Sequence, residues 1–210
     1  MKDKHLKLFW TREKSDWANI DITNRCPLMC PLCQRQRIYT ENNLKVPGKD
    51  MSLEVFDTIT NHFPGVDFCG QYSDPIHHPQ IDKMLEMCMK KNVGASIHTA
   101  SSFKPKKWYV NMFEKYPDCI WTFAIDGIPK DSNKYRINQD GEKLFDIMLE
   151  AKKYLKHTPI WQYIVFKYNE NDIDTAMQIA KENKIYFQII NSRRNRMNFE
   201  HYKATKKIYA

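Results

Sequence analysis

The chain has 210 residues, 42% hydrophobic and 28% charged, with a formal net charge of +8 and six cysteines. That apolar share supports a real core and excludes a disordered chain, while the length suits one domain. No run approaches the roughly eighteen apolar residues of a membrane span, and the basic N-terminus lacks the apolar stretch of a signal peptide. A reducing, cytoplasmic setting is therefore expected, with thiols that are free or metal-bound rather than paired in disulfides.

The charge is unevenly placed. Lys2, Lys4, Lys7, Arg12 and Lys14 outweigh Asp3 and Glu13 by +3 over residues 1–14. Arg193, Arg194, Arg196, Lys203, Lys206 and Lys207 outweigh Glu200 by +5 over residues 192–210. The body between them is neutral. The expected organisation is a basic extension over 1–16, a folded unit over 17–191 and a basic tail over 192–210.

In chain order, strands are predicted at Trp17–Thr23, Val66–Gly70, Ala95–Thr99, Ile120–Asp126, Ile160–Lys167 and Ile185–Asn191, each rich in β-branched or aromatic residues. Helices are predicted between them. Ser52 caps the first, which carries Leu53, Phe56 and Ile59. Ile81, Met84, Leu85 and Cys88 mark the second, and Trp108, Val110, Met112 and Phe113 the third. Leu144, Phe145, Met148 and Leu149 mark the fourth, while Asn171 caps the fifth, with Ala176, Met177 and Ala180 on its apolar face. Strands alternating with helices imply parallel pairing through right-handed crossovers. An eight-unit barrel needs about 250 residues, so a partial (βα)6 barrel or an open doubly wound sheet fits this length. Either keeps its ligands at the carboxyl ends of the strands.

The first predicted strand runs into Asn24-Arg25-Cys26-Pro27-Leu28-Met29-Cys30-Pro31-Leu32-Cys33. Three thiols spaced C-x3-C-x2-C on one short loop can converge on one metal centre. Closed structural sites take four protein ligands, and Cys69, Cys88 and Cys119 are scattered singly along the chain. A cluster held by three cysteines leaves one iron open to a non-protein ligand. Zinc held with His77 or His78, and a C-x2-C dithiol at Cys30 and Cys33, are the alternatives.

Cys26, Cys30 and Cys33 after a first strand resemble the signature of the radical S-adenosylmethionine (SAM) superfamily. The resemblance implies an α/β fold, a partial (βα)6 TIM-like barrel of parallel strands. It also implies a [4Fe–4S] cluster on the three cysteines, with SAM chelating the fourth iron. Reductive cleavage of SAM would then yield a 5′-deoxyadenosyl radical that abstracts hydrogen from a substrate. Later segments extend the likeness. Gly70-Gln71-Tyr72-Ser73-Asp74-Pro75 is similar to the family's Gly-Gly-Glu-Pro, with Ser73 and Asp74 at the second glycine and the acid; the acid accepts hydrogen bonds from the SAM ammonium. Thr99-Ala100-Ser101 stands where Thr-Asn-Gly is usual, offering hydroxyls to ribose or substrate. Ile125-Asp126-Gly127 matches Ile-Asp-Gly. Tyr135-Arg136 with Gly141 resembles the peptide- and protein-modifying subgroup, where the arginine pairs with the SAM carboxylate, and Ile164 falls beside the adenine. The implied cofactor contacts are thus Leu32, Gly70, Ser73, Asp74, Thr99, Ser101, Asp126, Arg136 and Ile164.

That subgroup favours a peptide or protein side chain as substrate and requires a one-electron donor of flavodoxin or ferredoxin type. It usually continues into a domain holding auxiliary clusters, whereas no cysteine follows Cys119. The basic ends, with Tyr202 and Tyr209, leave a nucleic acid as the alternative substrate. A non-enzymatic iron–sulfur or zinc module is the third reading. Cys69, Cys88 and Cys119 are read as small buried hydrophobes, Ser102 as a possible cap for the next helix, and His78-Pro79 as shaping a loop.

Overall fold

A computed structural model describes residues 16–40, 42–46, 48–69, 71–192 and 202–205. Six strands form one sheet in the order β1–β6, every neighbouring pair parallel: β1 Ala18–Ile20, β2 Gly65–Phe68, β3 Gly94–Thr99, β4 Ile120–Ala124, β5 Ile160–Val165 and β6 Tyr186–Asn191. Sequential order decides between the two predicted architectures. A doubly wound sheet reverses direction at a switch point, and this one never does. The fold is a partial (βα)6 barrel, six of the eight units of a TIM barrel.

Among the described residues six α-helices accompany the strands: α1 Gln34–Thr40, α2 Leu53–His62, α3 Ile81–Lys90, α4 Lys106–Lys115, α5 Gly141–Ala151 and α6 Ile173–Glu182. Five match the apolar periodicity. The exception is α1, whose polar sequence Gln-Arg-Gln-Arg carries no helical stripe. Ser52 caps α2 as expected, accepting from Val55 N at 3.3 Å. Asp172, not Asn171, occupies the cap position of α6, because the helix starts one residue later than the pattern suggests. Ser102 caps no helix of its own: Pro105 precedes α4, and the Ser102 hydroxyl accepts from Asp140 N at 2.8 Å. It thereby fixes the residue that caps α5, whose carboxylate accepts from Lys143 N at 2.9 Å.

The main core lies between the sheet and these helices. Val66, Phe68, Ile97, Trp121, Phe123, Trp161 and Tyr163 project into it from the strands, and Phe56, Leu85, Phe113, Leu144 and Met148 from the helices. At the amino-terminal ends of the strands, Trp17 lies across Gly65 and Gly94. A Cβ there would stand 2.1 Å and 2.4 Å from the indole, so glycine is required at both places. Among the described residues, no helix is long and apolar enough to cross a membrane.

Candidate functional site

Alternate residues of the strands face inward, away from the helices, and line a cavity of about 380 Å³. Asn19, Asp67, His98 and Gln162 give it polar walls. Its mouth is formed at the carboxyl ends by the segments following β1, β2, β3 and β4.

The segment after β1 carries the cysteines and is held from several sides. Arg25 pairs with Asp50 through Nε at 3.0 Å and Nη2 at 2.9 Å, and donates to Gly48 O at 2.9 Å. Thr23 Oγ1 donates to Asp50 Oδ1 at 2.6 Å. Leu28 and Leu32 are nearly fully buried in a second apolar cluster with Ala100, Ala124, Tyr135 and Phe166. Burying each leucine stabilises the loop by about 2 kcal/mol. Pro27 O accepts from Asn138 Nδ2 at 3.2 Å, and Met29 N donates to Ile137 O at 3.1 Å. The chain turns at Cys30–Cys33, where Cys33 N donates to Cys30 O at 3.0 Å, and α1 starts at once. Its residue Arg35 is buried and reaches back to Leu28 O at 3.0 Å.

This arrangement brings Cys26, Cys30 and Cys33 to the cavity wall together with Arg35 and Arg136. Burial and the Asp74 charge push the Cys26 thiol up to about 12, with the Arg35 guanidinium acting in the opposite direction. Cys69 lines the same cavity. It is not the buried hydrophobe expected from sequence, since its Sγ donates to Asn19 Oδ1 at 2.7 Å. Cys88 and Cys119 are fully buried in the main core, as expected. Among the described residues, no three His, Cys, Asp or Glu side chains stand close enough to share one metal ion. A closed zinc site takes four protein ligands, whereas a cubane held by three cysteines places them on separate irons. The donor set, three thiols on one loop beside two arginines, fits the larger group.

Asp74 is buried and its carboxylate is already occupied by the chain itself. It accepts from Thr99 Oγ1 at 3.0 Å, Ala100 N at 2.8 Å, Ser101 N at 2.9 Å and Ile76 N at 3.4 Å. These bonds tie the β2 and β3 loops together and shape the backbone that faces the cavity. Burial raises its pKa, opposed by the neighbouring His77 and by these donors. His77 Nε2 lies 2.8 Å from Ser101 Oγ. His78 shapes its loop, with Nε2 2.9 Å from Met51 O and Nδ1 accepting from Gln80 N at 3.0 Å. Ser73 Oγ donates to Asp21 Oδ1 at 3.2 Å, and Tyr72 N donates to the same oxygen at 3.0 Å.

Arg136 is the chief cation of the site. Its Nε lies 2.8 Å from Asp126 Oδ2, and Asp126 is fully buried. Burial alone would lower the Arg136 pKa, but the Asp126 charge, helped by Cys30, Tyr135 and Tyr168, raises it on balance. Arg136 also lines the cavity. Asp126 Oδ1 accepts from Ile164 N at 2.8 Å, which links β4 to β5.

The structure therefore brings Ser73, Asp74, Thr99, Arg136 and Ile164 to the cavity with the three cysteines. Leu32, Ser101 and Asp126 support it from behind, and Gly70 lies outside the described residues. Sequence reasoning missed Arg35 and Gln139. Gln139 is buried and its Nε2 donates to Ala100 O at 2.5 Å and Ala124 O at 2.9 Å, tying the ends of β3 and β4. The polar pattern around α1 gave no signal for Arg35. It also missed the inward polar layer: His98 Nε2 lies 3.0 Å from Asp67 Oδ1, and Asn19 Nδ2 donates to Asp67 Oδ2 at 3.1 Å. Alternation within β1, β2 and β3 was the available clue.

No protein-family model matches the sequence, and no curated protein does. Solved structures do match. SuiB of Streptococcus suis bound to precursor peptide SuiA superposes with a TM-score of 0.68 at 13% identity, over 91% of this chain and 43% of that one. The same protein bound to S-adenosylmethionine gives 0.68 at 14% identity, over 92% and 44%. Methylornithine synthase (PylB) gives 0.59 at 14% identity, over 83% and 52%. This chain thus spans about half the length, or less, of these structures. At such identities the likeness establishes a shared fold.

Proposed function

We propose that this chain is a radical SAM enzyme acting on a peptide or protein side chain. The observation that carries the reading is one cavity lined by both the Cys26–Cys30–Cys33 loop and Arg136, a cation paired with the buried Asp126. Structural neighbours bound to S-adenosylmethionine and to a precursor peptide support it. Cys26, Cys30 and Cys33 would hold a [4Fe–4S] cluster, which when bound supplies the single electron for reductive cleavage of SAM. A flavodoxin- or ferredoxin-type donor and a cytoplasmic setting belong to the same reading.

The chain's own residues have separable tasks. Arg136 presents a planar fork suited to a carboxylate, the group that SAM offers. Asp74 and Thr99 hold the β2 and β3 loops in place as the site's floor. Ile164 gives an apolar wall for the adenine. The inward layer of Asn19, Asp67, His98 and Gln162 offers polar partners to the substrate group. The helices and the outer core shield the strands from solvent, which limits quenching of reactive species.

Anaerobically reconstituted protein with dithionite and SAM should be brown and form 5′-deoxyadenosine. Cys30→Ala should lose the visible absorbance and the product together. Cys69→Ala should keep the absorbance, because Cys69 bonds to Asn19 and stands outside the three-cysteine loop. A fully loaded cluster that yields no 5′-deoxyadenosine would sink the enzymatic reading. A colourless, zinc-loaded protein would sink the cluster itself.

A further inference from the structure

Residues 202–205 return to the carboxyl ends of the strands and pack against the wall of the cavity. The Tyr202 ring lies edge-on to Tyr135, with centroids 5.3 Å apart at 75°, and to Phe166, at 6.0 Å and 77°. Tyr135 and Phe166 stack on one another at 4.1 Å, and both line the cavity. Phe166 stacks in turn on Tyr168 at 5.9 Å, and the Tyr168 hydroxyl donates to Asp126 O. This aromatic group therefore flanks the Asp126–Arg136 pair, with Tyr135 directly preceding Arg136 in the chain.

A clamp sets Tyr202 in that position. Glu170, only 8% exposed, accepts from Thr205 N at 2.6 Å and from Thr205 Oγ1. A buried carboxylate is costly without donors, so these bonds anchor the segment. Ala204 packs on the main core, whereas Tyr202 joins the cluster that also holds Leu28, Cys30 and Leu32. On the alternative of a nucleic-acid substrate Tyr202 would stack on a base; its ring instead packs on Tyr135 and Phe166, which line the cavity.

We propose that Tyr202 is a positioning residue: by bracing Tyr135 and Phe166 it keeps the Arg136 fork aimed into the cavity, where it receives the carboxylate of SAM. Arg136 meets Asp126 through Nε, and the stacked rings beside that pair limit where its outer nitrogens can turn. Edge-to-face contacts restrict ring motion and contribute specific geometry beyond burial. The proposal rests on the radical SAM reading.

The test compares two ligands on the anaerobically reconstituted full chain by equilibrium dialysis: SAM, and the sulfonium analogue in which hydrogen replaces the amino-acid carboxylate. Wild type should prefer SAM. Tyr202→Ala should lower SAM affinity about tenfold and leave the analogue within about twofold, erasing the preference. Tyr202→Phe should behave as wild type, because the ring and not the hydroxyl makes the contacts. Thr205→Val, which loosens the clamp without touching the rings, should lose part of the preference and stands in if Tyr202→Ala does not fold. Equal weakening of both ligands, or an unchanged preference in Tyr202→Ala, overturns the proposal and leaves the radical SAM reading intact. Wild type that binds neither ligand overturns both.

Discussion

The strand residues facing the helices are apolar and sealed, while those facing inward mix polar groups such as Asn19, Asp67, His98 and Gln162 with apolar Ala124, Ile164 and Ile190 and open to the cavity. On the outer side Trp121, Phe123, Trp161 and Tyr163 interlock with the helices, and Phe113 meets Trp121 edge-on at 5.0 Å. On the inner side Asp67, His98 and Gln162 line open space, with buried Asp74 and half-buried Arg136 in the same wall and buried Asp126 behind it. One face makes the fold stable, and that stability lets the other face keep charges that contribute little to folding. The inner carboxylates carry this cost through the chain's own donors: Asp74 has four donor groups on it, and Asp126 has an amide and an arginine.

The largest expected effect comes from breaking the sealed side. Phe113→Ala should cost about 4 kcal/mol, the usual loss for a buried aromatic ring, and shift the urea midpoint strongly. Its SAM affinity, measured at a concentration where the variant stays folded, should equal that of wild type, because the ring lies on the far side of the sheet. A loss of affinity there would mean the two faces are not independent.

Asp126→Asn tests the inner side and should cost about 3 kcal/mol, because it leaves the buried Arg136 uncompensated. Unlike Phe113→Ala it should also weaken SAM binding, since the guanidinium loses its fixed end. Urea unfolding together with dialysis separates the two consequences. Unchanged stability would show that Arg136 moves to water and is not held by the pair.

The smallest effect lies in the pH dependence, which should have opposite sign for surface and inward carboxylates. Asp82 is paired with Lys115 at 2.8 Å and accepts from Tyr116, so its pKa is lowered. Its contribution is present above the unfolded carboxylate value and is lost as pH falls through the lowered one. Asp82→Asn should therefore cost under about 1 kcal/mol near neutrality and nothing in acid. Burial raises the pKa of Asp21 despite donors from Tyr72 and Ser73. Its protonated form favours the fold, and that contribution disappears as pH rises from the unfolded value through the raised one. Asp21→Asn should flatten this fall. Urea midpoints collected between about pH 3 and pH 7 bracket both groups, and parallel curves for the two variants would refute the distinction.

Much of this organisation was readable from local signals. Six apolar runs and five helical stripes placed the strands and helices, because periodicity depends only on neighbours within a few residues. The cysteine spacing marked the loop after β1 as chemically unusual for the same reason. Polar α1 was missed because it is stabilised by Arg35 and Gln36 reaching Leu28 O, at 3.0 Å and 3.4 Å, and not by an apolar face of its own. Asp74 shows the limit from the other direction: the motif resemblance assigned its carboxylate to the SAM ammonium, whereas the fold brings Thr99, Ala100 and Ser101 onto it as donors.

By itself the sequence determined the alternation of strand and helix, the three-thiol loop and the uneven charge. The tertiary structure decided that the strands run in sequential order without a switch point. It also put Cys69 in the same cavity as the other three thiols, joined Asp126 to Arg136 and bent Tyr202 back onto Tyr135. Each of these joins residues whose separation in the chain carries no periodic signature. They meet only when the sheet curls and its carboxyl ends draw together around one cavity.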